Sequence, residues 1–215
     1  MKVVIWGASG HARVVADALM LGGSHQLVGF LDDLSPERRG SSFHGLPVLG
    51  GREALASLRA SGVEGLFFGF GNCAARLRLA PEVRGLGLQL VTVVHPSAVV
   101  ARDVVIGPGT LVAAGAVINT AARIGENVIV NTSASVDHDA IVEDGVHLCP
   151  GVRVGGLAHV ETGAWVGIGS IVSDRVRIGA RAMLGAGSVV VGDIPADVLA
   201  YGVPARVIRE IESHG

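Results

Sequence analysis

Residues 125–160 read GENVIV-NTSASV-DHDAIV-EDGVHL-CPGVRV-GGLAHV, and every block of six closes on a branched aliphatic. Working outward, the same phase runs unbroken from Val94 through Val100, Ile106, Val112, Ile118 and Ile124. Beyond the quoted stretch it continues through Val166, Val172, Ile178 and Leu184 to Val190. Four residues after each aliphatic from Val94 to Leu184 comes a second restricted place, held only by Ala, Val, Thr or Ser, as at Thr110, Ala116, Val128, Ala134 and Ala158. A period of six fits neither a helix at 3.6 nor a single strand at 2. The chain must turn regularly and point one large and one small side chain inward per repeat, which short flat faces joined at tight corners achieve. Three hexapeptides then close one triangular coil, so residues eighteen apart stack along the axis and their aliphatics build a continuous core.

Composition agrees with this core and excludes several partners. The chain has 215 residues, 49% hydrophobic but only 4% aromatic, which suits stacked Val, Ile and Ala. Its net charge is −2 and no run of Lys or Arg occurs, which argues against nucleic acid or an anionic membrane surface. Cys73 and Cys149 lack metal-ligand spacing, and MKVVIWGASGH reads as a strand entering a glycine turn rather than a signal peptide. No stretch is long and uncharged enough to span a bilayer. A cytoplasmic protein with small-molecule partners is expected.

The first ninety residues have a different texture. Val3–Trp6 is an apolar run closed by Gly7-Ala8-Ser9-Gly10, a helical pattern covers His11–Leu21, and Leu27–Leu31 ends on Asp32-Asp33. That is a βαβ unit. A second helix is predicted over Glu53–Ser61, a strand over Gly65–Phe70, a third helix over Ala74–Leu79 and a strand over Leu88–Val93. The result is a small Rossmann-like parallel domain whose ligand crevice lies at the carboxyl ends of its strands. Gly7-x-x-Gly10 with Ser9 at a helix mouth offers backbone N–H groups to phosphate oxygens, although the spacing does not match an NAD fingerprint. Asp32 and Asp33 can accept ribose or base hydrogen bonds, and Gly71-Asn72 brings a third loop to the same crevice.

Within the repeats, Asp137-His138-Asp139 sets a histidine between two carboxylates, an arrangement that raises basicity and orients a ring for general-base work. One coil further on stands Gly156, whose missing side chain leaves room beside the imidazole for a thioester to approach the backbone. His147 stacks with Leu111, Ile129, Trp165 and Met183; these precede the inward aliphatics and are expected to form an outward apolar column that wants a partner.

The Gly7–His11 turn, Phe30-Leu31-Asp32-Asp33, Gly71-Asn72, His95-Pro96-Ser97-Ala98, Asn131-Thr132, His138-Asp139 and the tail Gly202-Val203-Pro204-Ala205-Arg206 carry a resemblance over essentially the whole chain. Together they look like the bacterial nucleotide-activated amino-sugar N-acetyltransferases of the bacillosamine and perosamine type, a family that includes relatives of sialic acid O-acetyltransferase type. The repeat itself resembles the left-handed parallel β-helix of hexapeptide-repeat acyltransferases. The resemblance implies an α/β domain at 1–93, a left-handed β-helix at 94–194 and a tail at 195–215 closing the CoA end. It implies a cytoplasmic homotrimer that takes acetyl-CoA and a nucleoside-diphosphate amino-sugar, for surface polysaccharide such as O-antigen, with no metal. The sugar nucleotide then lies between the small domain and the β-helix, and the acetyl-CoA between neighbouring subunits. By the same resemblance His138 is the base and Asp139 the acid beside it. Gly7, Ser9, Gly10, His11, Asp32, Asp33, Gly71 and Asn72 hold the nucleotide, and His147, Gly156, Trp165 and Gly185 lie toward CoA. The acid after the base is often Glu in that family; here it is the shorter Asp139, with Asp137 on the other side, so either aspartate is a candidate support for the ring.

Three other readings stay open at this stage. An O-acetyltransferase would use the same base on a hydroxyl. A zinc enzyme of the γ-carbonic-anhydrase type would use His138, His147 and His159. A sugar-nucleotide sensor would have no transfer chemistry.

Overall fold

The computed structural model describes residues 1–211 and divides into two compact units, Met1–Pro96 and a second beginning at Ser97. The last four residues of the expected 195–215 tail lie outside the described residues. Among the described residues, no helix is long and apolar enough to cross a membrane.

The first unit runs β1 (Lys2–Trp6), α1 (Gly10–Gly22), β2 (Gln26–Leu31), β3 (Ser42–Phe43), β4 (Leu46–Gly50), α2 (Leu55–Ala60), β5 (Gly65–Phe68), α3 (Cys73–Gly85) and β6 (Gln89–Leu90). Its sheet has the order β3-β4-β2-β1-β5-β6, parallel throughout except for the β3–β4 hairpin. Strand order reverses at β1, so the turns after β1, β2 and β5 open at one sheet edge, the usual place for a ligand in such a sheet. Two features depart from expectation. The sequence pattern missed the β3–β4 hairpin, which turns on His44 and Gly45, both at positive φ. The third helix continues through Pro81 to Gly85, where a stop near Leu79 is predicted.

The second unit is a left-handed β-helix. Two-residue rungs pair in parallel and in register with the rung eighteen residues on, as in Val117↔Ser135, Ile129↔His147 and Ile141↔His159. The core is the predicted one: Val112, Val130, Val136, Val142, Leu148, Val160 and Val166 are at most 1% exposed, with Ala116, Ala134, Ala140 and Ala158 filling the small places. The corner rule was not visible in the aliphatic pattern. Every sixth residue from Gly109 to Gly187 has a positive φ, including Ala121, Asn127, Ser133, Asp139, Leu157, Arg175 and Arg181. Each hexapeptide thus spends one residue in the left-handed region to turn the corner. Asp139 is one of these corner residues, which presents His138 immediately before a forced turn.

The outward column is not the exposed apolar face that the sequence predicts. Leu111, Ile129 and His147 are enclosed within the single chain, and Met183 alone is as much as 41% exposed. At His147 the cover is visible: the Trp165 ring lies over it at 4.3 Å between centroids, and Asn131 closes its edge.

Candidate active site

In the first unit, the residues singled out in the crevice sit on the three converging turns. Gly7 has φ +129 and its backbone lies against Gly69; a Cβ there would stand 3.0 Å from the Gly69 carbonyl oxygen. Its N–H donates to the Leu31 oxygen at 2.8 Å, tying the first turn to the second. Ser9 is the N-cap of α1 without making a side-chain cap bond, and a Cβ on Gly10 would meet open space, so the helix mouth is bare. Asp32 and Asp33 have structural partners. Asp32 accepts from the N–H groups of Leu34 and Ser35 and from Arg38 at 2.7 Å, while Asp33 accepts from Trp6 Nε1 at 2.7 Å and from the Arg52 N–H at 2.5 Å. Asn72 caps α3 by accepting from the Ala75 N–H at 2.8 Å. Gly71 is held by Arg76, whose Nη1 donates to the Gly71 oxygen at 2.5 Å and to the Phe70 oxygen at 3.3 Å.

Sequence reasoning missed the two arginines. Arg38 spans from Asp32 to the Ala8 oxygen at 3.1 Å, linking the first two turns. Arg76 is 1% exposed and organises the third. Their signal was faint: one arginine in a charged loop and one in a helix look like surface residues.

Burial pushes the His11 imidazole down to about 4, with the Arg76 cation acting in the same direction. The unfolded chain takes up this proton near 6.5 and the folded one near 4. The stability of this unit is therefore complete above about 6.5 and falls as pH drops toward 4, by roughly 3 kcal/mol when the loss is complete. Thermal melts between pH 7 and pH 4.5 should show a falling Tm whose slope His11→Asn flattens. A His11 ring resonance titrating at an ordinary histidine value would refute this.

In the β-helix, His138 and Asp139 form a dyad on a corner. His138 Nδ1 and Asp139 Oδ2 are 2.9 Å apart, so the ring donates from Nδ1 and leaves its Nε2 lone pair free for a proton. The hydrogen bond to Asp139 holds the imidazole above the ordinary histidine range, helped by the charges of Asp137, Asp139 and Asp174. The choice between the two flanking aspartates resolves by geometry: Asp139 takes the ring, while Asp137 accepts the His138 backbone N–H at 2.7 Å.

Gly156 lies beneath the ring. A Cβ there would stand 2.7 Å from His138 Nε2 and 2.8 Å from Cε1, so the space left by the missing side chain is occupied by the imidazole itself rather than kept open for a thioester. The neighbouring backbone N–H groups, which could otherwise serve an oxyanion, are engaged. Gly155 donates to the Val172 oxygen, Leu157 to the His138 oxygen and Gly156 to Asp174 Oδ1 at 3.0 Å. Of these three acceptors only the Asp174 carboxylate is a side chain, able to rotate away.

His147 belongs to a separate group. Asn131 Oδ1 accepts from the Thr132 N–H at 2.8 Å, so its Nδ2 faces His147 Nε2 at 3.1 Å and fixes that nitrogen as an acceptor. The neutral ring therefore carries its proton on Nδ1. Trp165 packs on it as described. Gly185 lies on the corner shared by Asn131, Cys149 and Gly167, under Tyr201, where a Cβ would come within 2.7 Å of the Tyr201 Cβ. The three histidines of the zinc reading have separate partners within the chain: Asp139 for His138, Asn131 for His147 and Glu143 for His159.

A left-handed β-helix with a surface histidine–carboxylate dyad, in one chain with a Rossmann-like domain, places the protein in the hexapeptide-repeat acyltransferase class. Comparison with known proteins narrows this class. Residues 2–83 match the PglD N-terminal domain. A histidine-to-alanine variant of GDP-perosamine N-acetyltransferase from Caulobacter crescentus, solved with CoA and GDP-perosamine, is 40% identical over 98% of each chain, with a TM-score of 0.93. The acetyltransferase domain of PglB from Neisseria gonorrhoeae FA1090 is 33% identical over 96% of this chain and 99% of that one, with a TM-score of 0.90. Among curated relatives, galactoside O-acetyltransferase of Escherichia coli is 51% identical, but over only 47 residues and 23% of its length. The chain spans less than a third of the length of the curated relatives it matches first. The chain belongs to the left-handed β-helix sugar N-acetyltransferase family of the hexapeptide-repeat proteins.

Proposed function

We propose that this protein transfers the acetyl group of acetyl-CoA to an amino group, at C4, of a nucleoside-diphosphate-linked deoxy-amino-sugar for bacterial surface glycan synthesis. The observation that carries the reading is full-length similarity to a perosamine N-acetyltransferase together with the His138–Asp139 dyad. His138 acts as general base. A sugar amine is mostly protonated at neutral pH, and only the free amine attacks a thioester. Nε2 takes a proton from the amine as the C–N bond forms at the acetyl carbon. The tetrahedral intermediate then expels the CoA thiolate, which leaves as thiol once protonated, and the imidazolium returns its proton. Asp139 keeps Nδ1 protonated and stabilises the imidazolium. Holding both substrates together supplies much of the remaining rate.

Three carboxylates, Asp137, Asp139 and Asp174, act electrostatically on His138. Their field draws a cationic amino-sugar to the site, where a proton must still be lost before attack, and does nothing comparable for a neutral hydroxyl, which supports an amino-sugar acceptor. The turns after β1, β2 and β5 hold the nucleotide, with Gly7, Ser9, Gly10, His11, Asp32, Asp33, Gly71 and Asn72 as its contacts. His147, Gly156, Trp165 and Gly185 face the CoA arm, and the two domains and tail divide as 1–93, 94–194 and 195–215. The enzyme works in the cytoplasm, where acetyl-CoA is held, as a homotrimer with the CoA site shared between subunits. Sedimentation showing a stable, fully active monomer would remove the trimer from this account.

The decisive measurement is thiol release from acetyl-CoA across UDP-, GDP- and dTDP-linked 4-amino-sugars. One of these should support turnover at least about tenfold above the matching 4-hydroxy sugar. Release only with hydroxyl acceptors would replace the amine reading by the O-acetyl one.

A further inference from the structure

We propose that Asn119 and Asp137 are positioning residues for the transfer, a two-coil brace that fixes the backbone of His138 and acts through it. The inference rests on the reading of His138 as the base.

The need for a brace follows from exposure. The His138 side chain is 53% exposed on a corner, so core packing does not hold it. Its ring has one hydrogen bond, to the adjacent Asp139, and a floor at Gly156. What remains is the backbone at His138, which sits one residue before the left-handed Asp139 and determines where the ring starts. Asp137 Oδ1 accepts the His138 N–H at 2.7 Å, and the same oxygen accepts from Asn119 Nδ2 at 2.9 Å, from the coil below. The two bonds draw the Asp137 carboxyl below its ordinary value, which keeps the acceptor charged.

Several other corner N–H groups are capped directly from a neighbouring coil. Glu126 donates to Asp144 at 2.8 Å, Ala121 to Asp103 at 3.1 Å, Gly156 to Asp174 at 3.0 Å and Thr162 to Glu143 at 3.0 Å, each acceptor coming directly from a neighbouring coil. At His138, as at Thr132, the cap comes from the preceding residue, but here it is a carboxylate, itself tied to the coil below by the Asn119 amide. This sets the height of the corner against the coil beneath it. A misplacement of about 1 Å in a reacting group costs roughly 10²-fold in rate, so a loosened corner costs turnover before it costs fold.

The test compares kcat, KM for both substrates, pH profile and Tm across four variants of the full chain. Asp137→Ala should lower kcat about tenfold with both KM values within about twofold, because the base is misplaced while the substrates bind as before. Asp137→Asn keeps the acceptor oxygen and should restore kcat to within about threefold, with the acid limb of the profile moved to lower pH because one negative charge beside the imidazole is gone. Asn119→Ala should fall between them. Asp144→Ala removes an equivalent cap at a corner without a histidine and should leave kcat at the wild-type value. Equal kcat losses in Asp144→Ala and Asp137→Ala would mean that the caps only hold the fold, and would overturn the proposal. If Asp137→Ala does not fold, Asn119→Ala decides, and wild-type kcat there overturns it. Wild-type kcat in Asp137→Ala with an inactive His138→Ala removes the brace alone, whereas an active His138→Ala removes the base reading itself.

Discussion

His138→Ala should lower kcat by roughly 10²- to 10⁴-fold, the usual contribution of a general base, with little change in KM for either substrate. Proton transfer matters in the transition state, and the ring is not needed to bind either substrate's bulk. The loss should be smaller at high pH. The small free-amine population grows as pH rises, and positioning alone then sustains turnover, so the variant should recover partly where the wild type is already at its plateau. Asp139→Asn should fall between the two enzymes. Its hydrogen bond is the largest cause of the raised His138 basicity, so its charge removal shifts the acid limb of the profile to lower pH while weakening the imidazolium in the transition state. His147→Ala should cost less in kcat, because His147 is buried against Asn131 and Trp165 in a separate group. Steady-state kinetics from pH 6 to pH 9 measures all three. A His138→Ala enzyme with wild-type kcat at neutral pH would end the base assignment, although acetyl transfer by proximity would survive it.

The fold was legible because its main rule is one of spacing. Seventeen aliphatics in phase from Val94 to Val190 leave no other regular structure, and the structure stacks them at eighteen-residue separation. The corners were not legible, because half of their left-handed residues are not glycine: Leu157, Arg175 and Arg181 carry no compositional mark of positive φ. The outward column misled for a related reason. A period places Leu111 and Ile129 on the outer side of a rung but does not say what covers them, and both are buried. At the dyad, the sequence supplied a histidine between two acids, and only side-chain geometry could divide their work. Asp139 bonds the ring and Asp137 the backbone at a corner where Asp139 takes a φ of +58, a conformation that is not written in its identity. Arg38 and Arg76 were missed because a buried or bridging arginine looks like any other in a sequence.

Gly156→Ala should separate the chemistry from the fold more sharply than any change at the dyad itself. Gly156 is not among the residues with positive φ, so its backbone accepts a methyl group without strain. The atoms that an added Cβ would meet first are Nε2 and Cε1 of His138 at 2.7 and 2.8 Å, the end of a half-exposed side chain with room to leave. The coil therefore survives while the ring is displaced, and leaving the floor also lengthens its bond to Asp139. The expected result is a Tm within about 2 °C of wild type and a kcat lowered by roughly 10²-fold, the order associated with a misplaced reacting group. Because the displaced imidazole loses its carboxylate partner, its basicity should fall toward the ordinary histidine value, which NMR titration of the ring reads directly. Gly155→Ala provides the contrast. There the methyl would meet the Asp174 backbone nitrogen at 2.7 Å and the Ser173 carbonyl carbon at 2.9 Å, neither of which can swing aside, so stability should fall by roughly 1–3 kcal/mol. Wild-type kcat in Gly156→Ala would show that the ring tolerates displacement, and the role of this glycine as the floor of the base would have to be given up.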